Sequence, residues 1–155
     1  MSLIINVQTG AVGSYEPYPF NSYCEIDGAY FGTSDAGLHR LDISDSDDGV
    51  AIDAGLGTGF MNFKSTYQKR IENAYMTMRS EGTVLFTVTV DDGAHNPPCT
   101  LALPNYSTPE LVQRRVVIPK GLRGEAWKFE LNNIDGAMFD LGQLEVATVN
   151  SSRHV

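Results

Sequence analysis

The chain has 155 residues, 42% apolar and 19% charged, enough for one domain with a buried core. It contains no run of about 18 apolar residues and no basic-then-apolar leader, so neither a membrane span nor a secretory signal is expected. The formal charge of −8 is lopsided: residues 1–55 hold nine acids and one base, Arg40, whereas residues 56–155 hold ten of each. That asymmetry would repel phosphate from the first third, and it suits a basic partner or a solvated acidic face.

Fifteen glycines, seven prolines and frequent Asn, Asp and Ser breaks point to many short strands. Residues 3–7 (LIINV) read as the first. The following stretch to Phe20 (GAVGSYEPYPF) is too rich in Gly, Pro and Tyr for regular structure, so residues 1–21 read as an extended arm. Its aromatics Tyr15, Tyr18 and Phe20 are candidate subunit contacts; packing on its own domain accounts for such an arm equally well. Strands at Tyr23–Ile26 and Ala29–Gly32 flank Asp27-Gly28, a strong two-residue hairpin signal. Residues 33–37 then turn the chain into Leu38–Ile43. The segment 30–41 is similar to one strand-turn-strand of a propeller blade, but no second copy recurs at a fixed period.

Residues 44–49 (SDSDDG) are the densest acidic loop. With Gly49 aligned to the loop glycine of an EF-hand, Gly55 falls where a bidentate Glu belongs, so a solvated turn is the expectation and no metal is assigned. Val50–Ala54 reads as a strand. The glycines at 55, 57 and 59 lack the Lys-Ser/Thr of a phosphate loop and read as a bend or bulged strand.

Lys69–Arg79 allows two readings. A helix places Ile71, Tyr75 and Met78 at i, i+4, i+7; a strand places Ala74, Met76 and Met78 on one face and Ile71, Asn73, Tyr75 and Thr77 on the other. The next run, Thr83–Val90, is the clearest strand of the chain, with Val84, Phe86, Val88 and Val90 inward. Ser80-Glu81-Gly82 is short enough for a hairpin, which favours the strand reading. Short strands follow at Cys99–Leu103 and Arg114–Ile118.

Residues 121–149 carry the strongest pattern. Trp127, Phe129 and Leu131 alternate with polar residues, residues 133–136 (NIDG) supply turn chemistry, and Phe139 and Leu141 resume the alternation. The simplest expectation is a hairpin with Trp127, Phe129, Leu131 and Phe139 as core anchors. Leu144 and Val146 sit on the other parity, so a one-residue bulge is expected at Gly142.

Catalytic signals are weak. His39, His95 and His154 are not paired at helical spacing. His95 beside Asp91 and Asp92 is the nearest approach to an acid–base cluster, and its plainer reading is a solvated loop. Cys24 and Cys99 lie far apart, outside any metal spacing, and read as buried free thiols rather than a disulfide; a nucleophile at Cys99 has no identifiable partner. No nucleophile elbow, Walker loop or dinucleotide fingerprint occurs. No enzyme activity and no cofactor are expected. Lys64, Lys69, Arg70, Arg114, Arg115, Lys120, Arg123 and Lys128 would form a basic stripe on adjacent strands, but acids equal bases over that region, which argues against nucleic acid. A head-to-tail subunit contact uses the charge asymmetry better.

Three segments carry a resemblance: residues 69–75 (KRIENAY), 121–131 (GLRGEAWKFEL) and 133–141 (NIDGAMFDL). They resemble strings recurring in structural proteins of tailed bacteriophages, and the ending 151–155 (SSRHV) is similar to a common Ser-Arg-Arg-Val terminus, with His154 in place of the second Arg. The resemblance covers roughly residues 50–155 and implies a non-enzymatic virion component, of the tail or head–tail region, that assembles in the host cytoplasm. Its partners would be other virion proteins and copies of itself in a symmetric ring, without nucleic acid or membrane. Two further readings stay open: a carbohydrate-binding module, with Tyr15, Tyr18, Phe20, Tyr23 and Tyr30 as stacking platforms on a host glycan, and a capsid-decorating protein. The expected fold is all-β: an antiparallel two-sheet, jelly-roll-like sandwich as a single domain over 22–155, preceded by the arm.

Overall fold

The structure is a computed structural model that describes residues 2–5, 7–8, 10, 12–15, 20–41, 46–47, 50–91, 97–105, 108 and 110–150. Among these, every regular element is a β-strand and every strand pairing is antiparallel. The chain divides into two compact units, Met1–Ser44 and Asp45–Val155, where the sequence suggests an arm over 1–21 and one domain over 22–155. Composition marks where Gly and Pro are frequent. The division follows the hydrogen bonds instead, and the strands of 22–40 pair only with one another.

In the first unit, β1 (Ser2–Ile5) pairs with β2 (Val12–Tyr15), and β3 (Ser22–Ile26), β4 (Ala29–Ser34) and β5 (Gly37–Arg40) form a meander. The turn between β3 and β4 is the expected one: Asp27 and Gly28 adopt φ of 51° and 76°, the left-handed pair such a two-residue loop requires. One expectation changes. The stretch read as irregular contains β2, because a partner strand supplies a ladder that weak local propensity does not. The segment after the 33–37 turn forms a strand at Gly37–Arg40, and Asp42 and Ile43 lie outside the described residues.

The second unit begins with a small hairpin, β6 (Ser46–Asp47) and β7 (Val50–Ala51); the rest of the acidic loop, including any metal ligands there, lies outside the described residues. Then follow β8 (Gly55–Gly57), β9 (Lys69–Ser80), β10 (Val84–Asp91), β11 (Cys99–Leu103), β12 (Val112–Val117), β13 (Ala126–Asn133) and β14 (Phe139–Asn150). They form two sheets, β11-β10-β13-β8 and β12-β9-β14. Apolar residues from both line one core, so the unit is a two-sheet sandwich.

Alternation explains which residues enter that core. Val84, Phe86, Val88 and Val90 of β10 and Trp127, Phe129 and Leu131 of β13 are buried from one sheet; Ile71, Ala74, Met76 and Met78 of β9 and Val116 of β12 from the other. The rings of Phe86 and Phe129 stack with centroids 6.0 Å apart. Phe139 is half-buried and packs against the same cluster.

Neither expected hairpin forms. β13 pairs with β10 and β8, while β14 pairs with β9; β9 likewise pairs with β12 and β14 and not with β10. The turn residues do reverse the chain, with Asp135 and Gly136 at φ of 54° and 75°, but each reversal carries it across the sandwich to the opposite sheet. The bulge at Gly142 is present, between Leu141 and Gln143. A second irregularity on β9 skips Glu72, and this extra residue brings Ile71 onto the same face as Ala74, against the face assigned from strict alternation.

Residues 54–61 run along β13 as an irregular edge. Thr58 N donates to Phe129 O (2.9 Å), Met61 and Trp127 exchange backbone bonds (2.9 and 3.0 Å), and Asn133 holds the far end. The Asn133 amide accepts from Ala54 N and donates to Ile52 O, both 2.8 Å. The glycine-spaced segment is therefore a bulged edge strand.

Candidate functional site

The first unit places few side chains out of water. Gly32, at the centre of the meander, is its one buried residue among those described. Phe20 covers it: a Cβ at position 32 would lie 2.6 Å from Cγ of that ring. The ring meets Tyr23 edge-on at 5.9 Å and His39 at a tilt, 5.4 Å, between centroids. His39 Nε2 is 2.9 Å from Ser34 Oγ, and Asn21 N donates to Thr33 O at 2.7 Å, which fixes the entry of Phe20 onto the sheet.

Around this small cluster, apolar side chains stand in solvent. The register puts Tyr23, Tyr30 and Gly32 on one face and Ile26, Phe31, Thr33 and Leu38 on the other. Tyr23, Ile26, Tyr30 and Leu38 are each more than half exposed, and on the hairpin so are Leu3, Ile5 and Val12. A two-stranded hairpin is marginal by itself in water, and these exposed side chains lie on both faces of the meander as well as on the hairpin.

Of the candidate contacts, Phe20 is thus packed within its own unit, Tyr15 lies on β2, and Tyr18 lies outside the described residues. Trp127, Phe129 and Leu131 line the core of the second unit.

The basic stripe is not continuous. Lys69 is 1% exposed, and its ammonium donates to the carbonyls of Ser65, Tyr67 and Glu125 at 2.6, 2.9 and 2.9 Å. Arg70 is paired with Glu72, and Lys128 with Glu130 at 2.8 Å. Lys64, Arg115, Lys120 and Arg123 remain exposed.

His95, Asp92 and His154 lie outside the described residues, so the acid–base cluster is not described. No group of three or more His, Cys, Asp and Glu that could hold a metal occurs among the described residues. Both cysteines are free, but Cys24 is exposed and Cys99 half-buried, where burial of both was expected. Cys24 lies on a meander too thin to cover it. Two clefts, of ≈ 200 Å³ beside Arg79, Ser80 and Asp140 and of ≈ 350 Å³ beside Glu81, Thr83, Ile134 and Asp135, lie below and at the lower end of the roughly 300–1,000 Å³ range of ligand pockets. No helix of the described residues is long and apolar enough to cross a membrane.

Compared with protein-family models, curated proteins and solved structures, the chain matches none of them.

Proposed function

We propose that this chain is a non-enzymatic structural subunit of a tailed-bacteriophage particle, a component of the tail or head–tail region that works by assembly with copies of itself and other virion proteins. The observation that supports it most is the first unit, which buries Gly32 while leaving Leu3, Ile5, Val12, Tyr23, Ile26, Tyr30 and Leu38 bare. Such a surface gains stability when a partner covers it, at roughly 25 cal/mol for each Å² of apolar area removed from water. The acidic first third disfavours nucleic acid as that partner.

The test is the mass of the purified chain by sedimentation across concentration and salt, with and without residues 1–44, together with its detection in purified particles. Multimers of the full chain that weaken when the unit is removed, and a repeated copy number in particles, are the expected results. A chain that is monomeric at every concentration and absent from particles overturns the reading. One observation favours a second reading: Tyr23 and Tyr30 lie on one face of the meander, both exposed, as a sugar-stacking platform would need. Glycan binding by the isolated monomer distinguishes it.

A further inference from the structure

We propose that copies of the chain join head to tail by setting the outer edge of β14 beside the outer edge of β12 of the next copy, so that the β12-β9-β14 sheet continues from subunit to subunit. This rests on the assembly reading above and adds a joint between second units to the contact made by the first. Both strands are edges: among the described residues, each pairs only with β9. A bare edge presents a row of unpaired N–H and C=O groups, which another strand can complete.

The residues along the two edges select the arrangement. On the outer face of the sheet, three successive cross-strand rows read Gln113–Thr77–Gln143, Arg115–Tyr75–Glu145 and Val117–Asn73–Ala147. Each row ends on β12 in a residue that suits its other end on β14: amide with amide, cation with anion, apolar with apolar. On the inner face, the row Val116–Ala74–Val146 ends in valine on both sides, and the row Arg114–Met76–Leu144 would set the aliphatic stem of Arg114 beside Leu144. A copy added without slippage therefore brings Arg115 to Glu145, with matching neighbours above and below. The Gly142 bulge lies just beyond these rows and leaves residues 143–147 regular opposite the level of 113–117.

Charge disfavours the symmetric alternatives, although Asp140 is already paired with Arg79. β12 contains two arginines and no acid, and β14 contains Asp140 and Glu145 and no base. Pairing β14 with itself, or β12 with itself, would gather like charges along one ladder, which destabilises cross-strand pairs. The mixed joint alone brings opposite charges together. Because β12 and β14 both run antiparallel to β9, they are parallel to each other, and the joint is a parallel one. It is heterologous, so it closes into a ring when the rotation between copies permits and otherwise extends. Arg115 and Glu145 are both exposed; Gln143 Nε2 donates to Glu145 at 2.7 Å, which leaves most of the carboxylate's acceptor sites open.

The full-length chain, Arg115→Glu, Glu145→Arg and the double variant should be compared by sedimentation velocity over a concentration series, with circular dichroism to confirm folding. Each single variant is expected to raise the concentration needed for assembly by at least about tenfold, as a lost charge pair replaced by a like pair would. The double variant should regain assembly. An equimolar mixture of the two single variants should also assemble, by alternation, since every joint between unlike copies pairs opposite charges. Wild-type multimers indifferent to both substitutions, or a double variant and a mixture as defective as the singles, overturn the joint and leave the assembly reading standing. A wild-type chain that never associates overturns the joint; absent from particles as well, it overturns the assembly reading too.

Discussion

The ammonium of Lys69 reaches the backbone carbonyl of Glu125 across 56 residues of sequence, at 2.9 Å. The two chain segments also exchange backbone bonds one residue away: Lys69 N donates to Gly124 O at 2.8 Å, and Gly124 N to Lys69 O at 3.1 Å. Gly124 O accepts the indole N–H of Trp127 as well, at 3.3 Å. A side chain at position 124 would run into Val90 and the carbonyl of Asp91, 2.8 Å from its Cβ, so only glycine lets the strands approach this closely. Loop, sheet and core are tied at one point by a cation whose three protons each have a carbonyl acceptor.

Replacing Lys69 with Met is therefore expected to destabilise the second unit by at least about 3 kcal/mol, because it leaves three carbonyls near a buried site without their donor. Lys69→Arg does not rescue, since a planar guanidinium cannot serve three carbonyls arranged around a point. Urea denaturation of the full chain measures both.

Trp127→Ala should cost about 3–5 kcal/mol, the range for removing a large core aromatic. Its side chain is 0% exposed, so the same denaturation experiment gives the value directly; a near-neutral result would contradict the packing.

Phe20→Ala should loosen the meander while leaving the second unit's unfolding midpoint unchanged. The half-buried ring covers Gly32, and its removal is expected to weaken this unit by about 1–2 kcal/mol. Faster amide exchange over residues 22–40 is the readout. Gly32→Val should act alike, because its side chain would displace the same ring.

The two thiols should differ in reactivity. Cys24, exposed on β3, is expected to label with a maleimide in the folded state, and half-buried Cys99 more slowly. Peptide mapping after a timed reaction separates them, and a non-reducing gel should show no internal disulfide.

The alternation of Trp127, Phe129 and Leu131, and of Val84 through Val90, was legible in the sequence because a strand with one wet face records its burial at period two. The bulge at Gly142 was legible for the same reason, as a change of parity. The fate of the turns was not. Turn chemistry at residues 133–136 encodes a reversal of direction, whereas hydrogen-bonding to the neighbouring strand or stacking on the opposite sheet, about 10 Å away, depends on β8 and β10, remote in sequence. Lys69 was equally opaque: nothing local distinguishes a lysine that meets three carbonyls from one that meets water. The exposed apolar residues of the first unit were half legible. Its aromatics were visible, but only the fold shows that Phe20 is spent on Gly32 and that Tyr23 and Tyr30 share a face.

Among β8 to β14, the β10–β11 connection alone joins neighbours in a sheet; the others cross between layers. The central strand β9 accordingly has both partners, β12 and β14, made well after it. No half of the sandwich can form as a succession of local hairpins, and loop closure must precede most of the favourable contacts. Folding is expected to be slow and all-or-none, with Ile71, Met76 and Met78 waiting uncovered until β10 and β13 close over them. During that interval the nascent chain is most vulnerable to aggregation.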